Sequence, residues 1–335
     1  MIKQNDTSDS GFILLGFSYL QNHRIVLFLV FFMLYLLTLL GNTITILIIC
    51  LDLHLRTPMY LFIGNLSFLD ICNTCVTIPK MLINILTKRQ FISYAGCVTQ
   101  MFCFTFLASS ECVLLGVMAY DRYLAICNPL HYMEIMSNRV CMALASAPWM
   151  TGFLQSSIQT IFTFQLPFCQ PRIINSFFCE IPSLLKLSCS VTFFNEILLF
   201  CVGGLLSLTP FLLTFVSYIL ILKTILKISS TEGRSKSFST CGSHLAVVSL
   251  FYGAAMFIYF RPTYSYSLLV DRLMSVFYTL LTPLLNPIIY SLKNNEVKAA
   301  MRKIFIIKEK SWNLKLLTIK RENNEKGKIK SVIHI

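Results

Sequence analysis

Seven runs of about 20 or more mostly uncharged residues divide this chain, at approximately Ile25–Leu51, Pro58–Pro79, Cys97–Ala119, Val140–Phe164, Ile197–Leu222, Phe238–Phe260 and Leu273–Ser291. A helix rises ~1.5 Å per residue, so ~20 apolar residues cross the ~30 Å hydrocarbon layer of a bilayer. Composition excludes a soluble core as the alternative home for these runs. Of 335 residues, 56% are hydrophobic and only 13% are Asp, Glu, Lys or Arg, about half the charge that covers a soluble domain. The runs predict an all-α membrane protein, a seven-transmembrane helix bundle. A secreted protein, a cytosolic enzyme and a nucleic-acid binder are excluded. Loops are short except Gln165–Glu196, so no soluble domain is appended. Seven unrepeated runs also count against a secondary transporter made of two equal repeats.

The net charge of +13 does not signal nucleic acid, because of where it sits. From Arg302 onward there are 10 Lys and Arg against 3 acids. Such a tail, counted from Arg302 and including the basic segment 307–335, suits either an anionic cytoplasmic leaflet or a solvated end. With residues 1–24 outside, cytoplasmic segments hold 19 Lys and Arg against 9 outside, and 9 against 9 without the tail. That favours an N-terminus outside in a multi-pass membrane protein, chiefly through the tail. Asn5-Asp6-Thr7 is a glycosylation sequon in the outer N-terminal segment. No cleavable signal peptide is evident, so the first run serves as the insertion signal.

Nine of the 13 cysteines lie in the runs or on the cytoplasmic side, where a thiol acts as a small hydrophobe. Cys97, Cys169, Cys179 and Cys189 face the oxidising side. Two disulfides among them would pin the 32-residue loop as a lid, and spacing leaves three pairings open.

Asp70 and Glu111 fall at comparable mid-membrane depth, where a lone carboxylate costs ~2.5 kcal/mol or more. Two readings stand: a site that holds Na⁺ or shares a proton, or a packing contact with Asn42 and Asn286. Asp121-Arg122, at the inner end of the third run, is either a self-neutralising pair or one whose arginine exchanges partners. Pro210, Pro283 and Pro287 set kinks in the fifth and seventh runs.

Several strings match one family almost letter for letter. Met118–Tyr132 reads MAYDRYLAICNPLHY, Pro58–Tyr60 reads PMY and Asn65–Asp70 reads NLSFLD. Lys236–Leu245 reads KSFSTCGSHL and Pro283–Leu292 reads PLLNPIIYSL. With Gly41-Asn42 and the loop cysteines, this ordered set resembles the class II olfactory receptors of vertebrates, rhodopsin-like G-protein-coupled receptors, from about Gly11 to Ile304. The resemblance implies a short amphipathic eighth helix at residues 293–306 after a receptor domain at 25–292. It implies bonds Cys97–Cys179 and Cys169–Cys189, and a buried ion or proton site at Asp70 and Glu111. Asp121, Arg122, Tyr123, Tyr218, His244, Asn286 and Tyr290 take activation and coupling positions, though His244 reads equally as a satisfied packing histidine.

The implied ligand pocket is Phe104, Thr105, Ala108, Ser109, Val202, Leu206, Tyr252, Ala255, Met256, Tyr259 and Thr279. This set has apolar walls, a few hydroxyls and no charge, so the resemblance implies a small neutral odorant. The implied partner is a stimulatory heterotrimeric G protein that raises cyclic AMP, with membrane lipid around the bundle and no catalytic residue, metal or cofactor beyond Na⁺ or a proton. The chain departs from the family pattern at Arg56, Ser176 and Glu180, and in the tail after residue 306. Alternatives are an orphan chemosensory receptor acting outside olfactory tissue and, more distantly, a transporter.

Overall fold

The computed structural model describes residues 11–17, 23–87, 90–259, 268–292 and 297–303. Eleven α-helices occur among them: α1 (Arg24–Leu51), α2 (Pro58–Thr87), α3 (Tyr94–Cys127), α4 (Tyr132–Ile135), α5 (Asn138–Phe164), α6 (Ile181–Leu185), α7 (Phe193–Leu198), α8 (Leu205–Leu226), α9 (Thr231–Tyr259), α10 (Leu268–Val276) and α11 (Thr282–Leu292). A π-helical turn at Leu199–Gly204 joins α7 to α8, and another at Phe277–Leu281 joins α10 to α11. Seven long rods result among the described residues. Residues 297–303 are also helical, with Val297 and Ala300 buried and Lys298 and Arg302 exposed.

Helix α1 shows why this sequence belongs in lipid. Its buried positions are Phe31, Thr38, Asn42, Thr45 and Ile48. Spaced by three, four or seven residues, they make one stripe, and three of the five are polar. Leu29, Met33, Leu36, Leu40, Leu47 and Leu51 are exposed on the other faces. An apolar exterior around a polar stripe is intolerable in water and suited to a bilayer.

Five rods are long and apolar enough to cross a membrane: α1, α2, α3, Phe193–Leu226 and Arg272–Tyr290. The run predicted at Val140–Phe164 forms a helix, as do the described residues of the run predicted at Phe238–Phe260, but neither is among those five. In α5 the cause is a polar inner face: Gln155, Ser156, Gln159, Thr160 and Thr163 are buried, and Ser156 donates to the Phe102 carbonyl at 2.6 Å. In α9, Cys241–Ala254 is an apolar stretch among the described side chains.

Helix α3 runs through the centre against α2, α5 and α8. Two glycines permit that closeness. A Cβ at Gly116 would lie 2.8 Å from Pro210 Cβ, and one at Gly152 would lie 2.6 Å from the Phe106 carbonyl oxygen.

One end of the bundle is capped by loop structure. Strands β1 (Phe12–Leu14), β2 (Phe91–Ile92) and β3 (Ile173–Ile174) form a sheet ordered β2-β1-β3, antiparallel on the first side and parallel on the second. Phe12, Leu14 and Ile174 are buried beneath it. Disulfides Cys97–Cys179 and Cys169–Cys189 fasten the long loop, the first directly to the start of α3. We call this the disulfide end and the opposite one the far end. The sequence reading placed no strand in residues 1–24. Three residues are too few for alternation to register, and the pairing partners lie about 80 and 160 residues away.

Candidate functional site

Midway through the bundle, Asp70 on α2 is fully buried, and both its carboxylate oxygens accept from the Asn286 side-chain amide on α11, at 3.2 and 3.0 Å. Glu111 on α3 is buried with its Oε1 lacking a hydrogen-bond partner. It is close enough to Asp70 for the two carboxyls to interact electrostatically. Of the two amides named in the packing reading, Asn286 meets Asp70 while Asn42 meets neither carboxylate. Its amide donates to the carbonyls of Thr38 and Pro283, both at 3.0 Å. The reason lies four residues on: Pro287 has no N–H, so the Pro283 carbonyl loses its helical donor and Asn42 supplies one.

Asn73, one turn from Asp70 on α2, is buried with neither side-chain polar atom satisfied, and Asn286 Oδ1 is likewise unpartnered. Sequence reading missed Asn73, although its i+3 spacing from Asp70 puts both on one face. The donor set is therefore two carboxyls and two amides with orphaned oxygens. Oxygen-only ligation suits a hard cation. Among the described residues no group of three or more His, Cys, Asp or Glu is placed to hold a metal.

Toward the disulfide end, Phe104 packs against Phe178 of the long loop, with ring centroids 4.6 Å apart, and edge-on to Tyr278 at 6.0 Å. Tyr252 is buried; its hydroxyl donates to the Cys112 carbonyl at 3.0 Å, and its ring meets Phe211 at 5.3 Å. Thr279 is buried in the second π turn and donates to the Ser275 carbonyl at 2.7 Å. Thr105, Ala108 and Ser109 on α3, Val202 in the first π turn and Leu206 on α8 are half-buried. The side chains of Ala255, Met256 and Tyr259 lie outside the described residues. None of the eight expected ligand residues whose side chains are described lines either of two described cavities. One, of about 70 Å³, lies between the N-terminal strand, α1 and α2; the other is a groove of about 560 Å³ between α2 and α3. The physical reason is visible at Phe104 and Tyr252, whose rings are filled against by neighbouring aromatics.

At the far end, Asp121 and Arg122 do not pair within 4.0 Å. Adjacent residues on a helix point about 100° apart, and Asp121 Oδ1 instead accepts from the Tyr132 hydroxyl of α4 at 2.8 Å. Burial and the Asp121 charge push the Tyr132 phenol above its ordinary range, so it stays a donor. Tyr218 and His244 are stacked, with the hydroxyl bonded to the imidazole Nδ1. Tyr123 packs half-buried against the same cluster as Tyr218. Arg122 Nε, Asp121 Oδ2, His244 Nε2 and the Tyr290 hydroxyl are buried without hydrogen-bond partners, and Arg122 is within electrostatic range of Tyr218, His244 and Tyr290. Beside this end, Asp52 caps a turn by accepting from the His54 backbone and ring, at 3.0 and 3.1 Å, and lies 3.9 Å from Lys303 Nζ. The His54 backbone bond, followed by its ring, holds the Asp52 carboxyl below the usual carboxylate range. Asn5 lies outside the described residues.

A central helix contacted by several rods, a disulfide from its start to a loop, and proline-kinked helices define a helical membrane-spanning receptor fold. The crystal structure of squid rhodopsin superimposes with a TM-score of 0.67, covering 85% of this chain and 86% of that one at 19% identity. The family is fixed by sequence. The olfactory receptor family model matches residues 31–308. Human olfactory receptor 2K2 is 50% identical over 301 residues, covering 90% of this chain and 95% of its own. Mouse olfactory receptor 5AR1 is 47% identical over 304 residues, covering 91% and 98%. Rat olfactory receptor 1 is 46% identical over 314 residues, covering 94% and 100%. The chain belongs to the olfactory receptor family, class II, within the rhodopsin-like G-protein-coupled receptors; these are receptors and not enzymes.

Proposed function

We propose that this chain is an odorant receptor that binds small neutral volatiles in the half of the bundle nearer the disulfide end and activates a stimulatory G protein at the far end. On this reading all seven rods cross the plasma membrane, residues 293–306 form an eighth helix along the inner surface, and the disulfide end is outside. Asn5 then carries a glycan, and the basic tail is cytoplasmic beside anionic lipid. The observation that carries the reading is the far-end set of buried polar atoms without partners, drawn from α3, α9 and α11. Each unpaired buried group costs ~1–3 kcal/mol, so this end is poised to rearrange toward new partners. A protein binding only the rearranged state would supply them.

Ligand shifts the population toward that state by as much as its affinity differs between the two. Phe104 and Tyr252 are the proposed sensors: a ligand that displaces either ring acts on α3 and α9 together, since Tyr252 is bonded to the α3 backbone. Asp70, Glu111, Asn73 and Asn286 hold Na⁺ or a shared proton in the resting state. The test is a cyclic AMP measurement in cells expressing the chain, against a panel of neutral volatiles, with Arg122→Ala alongside. A response lost in Arg122→Ala at equal surface display supports the reading. Equal responses in both refute the role of the far-end set.

A further inference from the structure

The groove of about 560 Å³ between α2 and α3 has no part in the function proposed above. It lies open along one side rather than enclosed, and its shape follows from sequence. On the α3 side it is walled by Ser93, Gly96, Thr99 and Cys103, short side chains that leave a channel where larger ones would close it. Gln100 fixes the register: its amide donates to the Val76 carbonyl at 3.0 Å and its oxygen accepts from Cys179 N at 3.0 Å, so both its ends are occupied. Val76 and Gln100 are therefore level. Lys80, one turn further along α2, stands about 6 Å higher, beside Gly96, and Cys103 lies about one turn lower.

Lys80 is half-buried in this groove and makes no ion pair among the described residues. Lys80 directly follows the apolar run that ends at Pro79, seven residues before the end of α2 at Thr87, so it stands at the edge of the hydrocarbon layer. With no acidic partner among the described residues it is open to an anionic head group, and the surface below it, Val76 and Cys103, is apolar. One head charge above a single apolar channel fits an amphiphile with one acidic group and one chain. With the disulfide end outside, as in the orientation proposed above, the adjoining leaflet is not the one rich in anionic phospholipid. We propose that the α2–α3 groove binds a long-chain fatty acid, its carboxylate on Lys80 beside the first turn of α3 and its chain running past Val76 toward Cys103.

The experiment uses the full chain in nanodiscs of phosphatidylcholine, labelled with photoreactive diazirine palmitate, with the adduct mapped by mass spectrometry. Label is expected between residues 76 and 103. It should be competed by oleate, and at least tenfold less by oleyl alcohol or phosphatidylglycerol. Lys80→Gln should lower labelling at least tenfold, as loss of a charge-assisted contact requires. Lys80→Arg should retain it, and Thr99→Phe should block it with Lys80 intact. Thermal unfolding of each variant checks folding. Equal labelling of Lys80→Gln and the parent, or equal competition by the alcohol, overturns the proposal. Equal competition by phosphatidylglycerol overturns the fatty acid as occupant. Nanodiscs expose both faces, so a reversed orientation alone would leave the labelled residues unchanged.

Discussion

Replacing Gly152 with alanine tests the packing of α3 against α5. An alanine Cβ there would sit 2.6 Å from the Phe106 carbonyl oxygen, 3.1 Å from Ser110 N and closer still to Ser110 Oγ. Ordinary contact begins at 3.4 Å, so the backbone oxygen alone demands about 0.8 Å of separation. The Ser110 hydroxyl can turn away, but the carbonyl belongs to a helix and cannot. Ser156 on α5 donates to the Phe102 carbonyl one turn along the same seam at 2.6 Å, so moving the helices apart strains that bond as well. Overpacking of this kind costs ~1–3 kcal/mol, offset by up to ~1 kcal/mol of gained helix propensity. Gly64→Ala is the control, because a Cβ there meets nothing within 4 Å; it should be neutral or stabilising. Purified variants would be unfolded thermally and followed by a thiol-reactive dye. The expected result is a midpoint several degrees lower for Gly152→Ala and unchanged or higher for Gly64→Ala. Equal midpoints for Gly152→Ala and the parent would refute the close approach.

Other outcomes follow from the same contacts. Asp70→Ala leaves the buried Asn286 amide without its two acceptors, so stability should fall by ~1–3 kcal/mol and any dependence of thermal midpoint on sodium should disappear. Tyr132→Phe strips Asp121 of its donor from α4, which should raise ligand-free cyclic AMP at constant surface display. Cys179→Ser opens a bond closing 82 residues of sequence, a loss of ~2–5 kcal/mol that should abolish surface delivery. The Asp52 carboxyl is depressed, so its contacts with His54 and Lys303 persist above the ordinary carboxylate range and are lost only as pH falls below it. Hydrogen exchange at Leu53–Leu55 should accordingly be unchanged, after correction for intrinsic rate, between pH 8 and 6.

Helix periodicity and membrane length made the rods readable from residues alone, because a bilayer forces about 20 apolar residues to announce each crossing. Helix α5, outside the five apolar spans, was also readable, since its polar residues fall on one face. What escaped was set by distance in sequence or by single contacts. Phe12–Leu14 finds its strand partners in two separate loops, and a three-residue strand has no pattern of its own. Asn42 was one of two amides in the packing reading of the carboxylates, but the nearer need was the Pro283 carbonyl that Pro287 leaves bare. Asp121 and Arg122 read as a pair because they adjoin, whereas helical geometry turns them to different partners. The groove beside Lys80 has no motif; it exists because several short side chains on α3 happen to face one lysine.

The most direct measurement is the affinity of a responding odorant for the purified receptor, with and without a nucleotide-free stimulatory G protein. If both bind one rearranged state, the G protein must tighten odorant binding, by the ~5- to 150-fold typical of such coupling, and Arg122→Ala must remove that gain. An odorant affinity identical with and without the G protein would contradict the account.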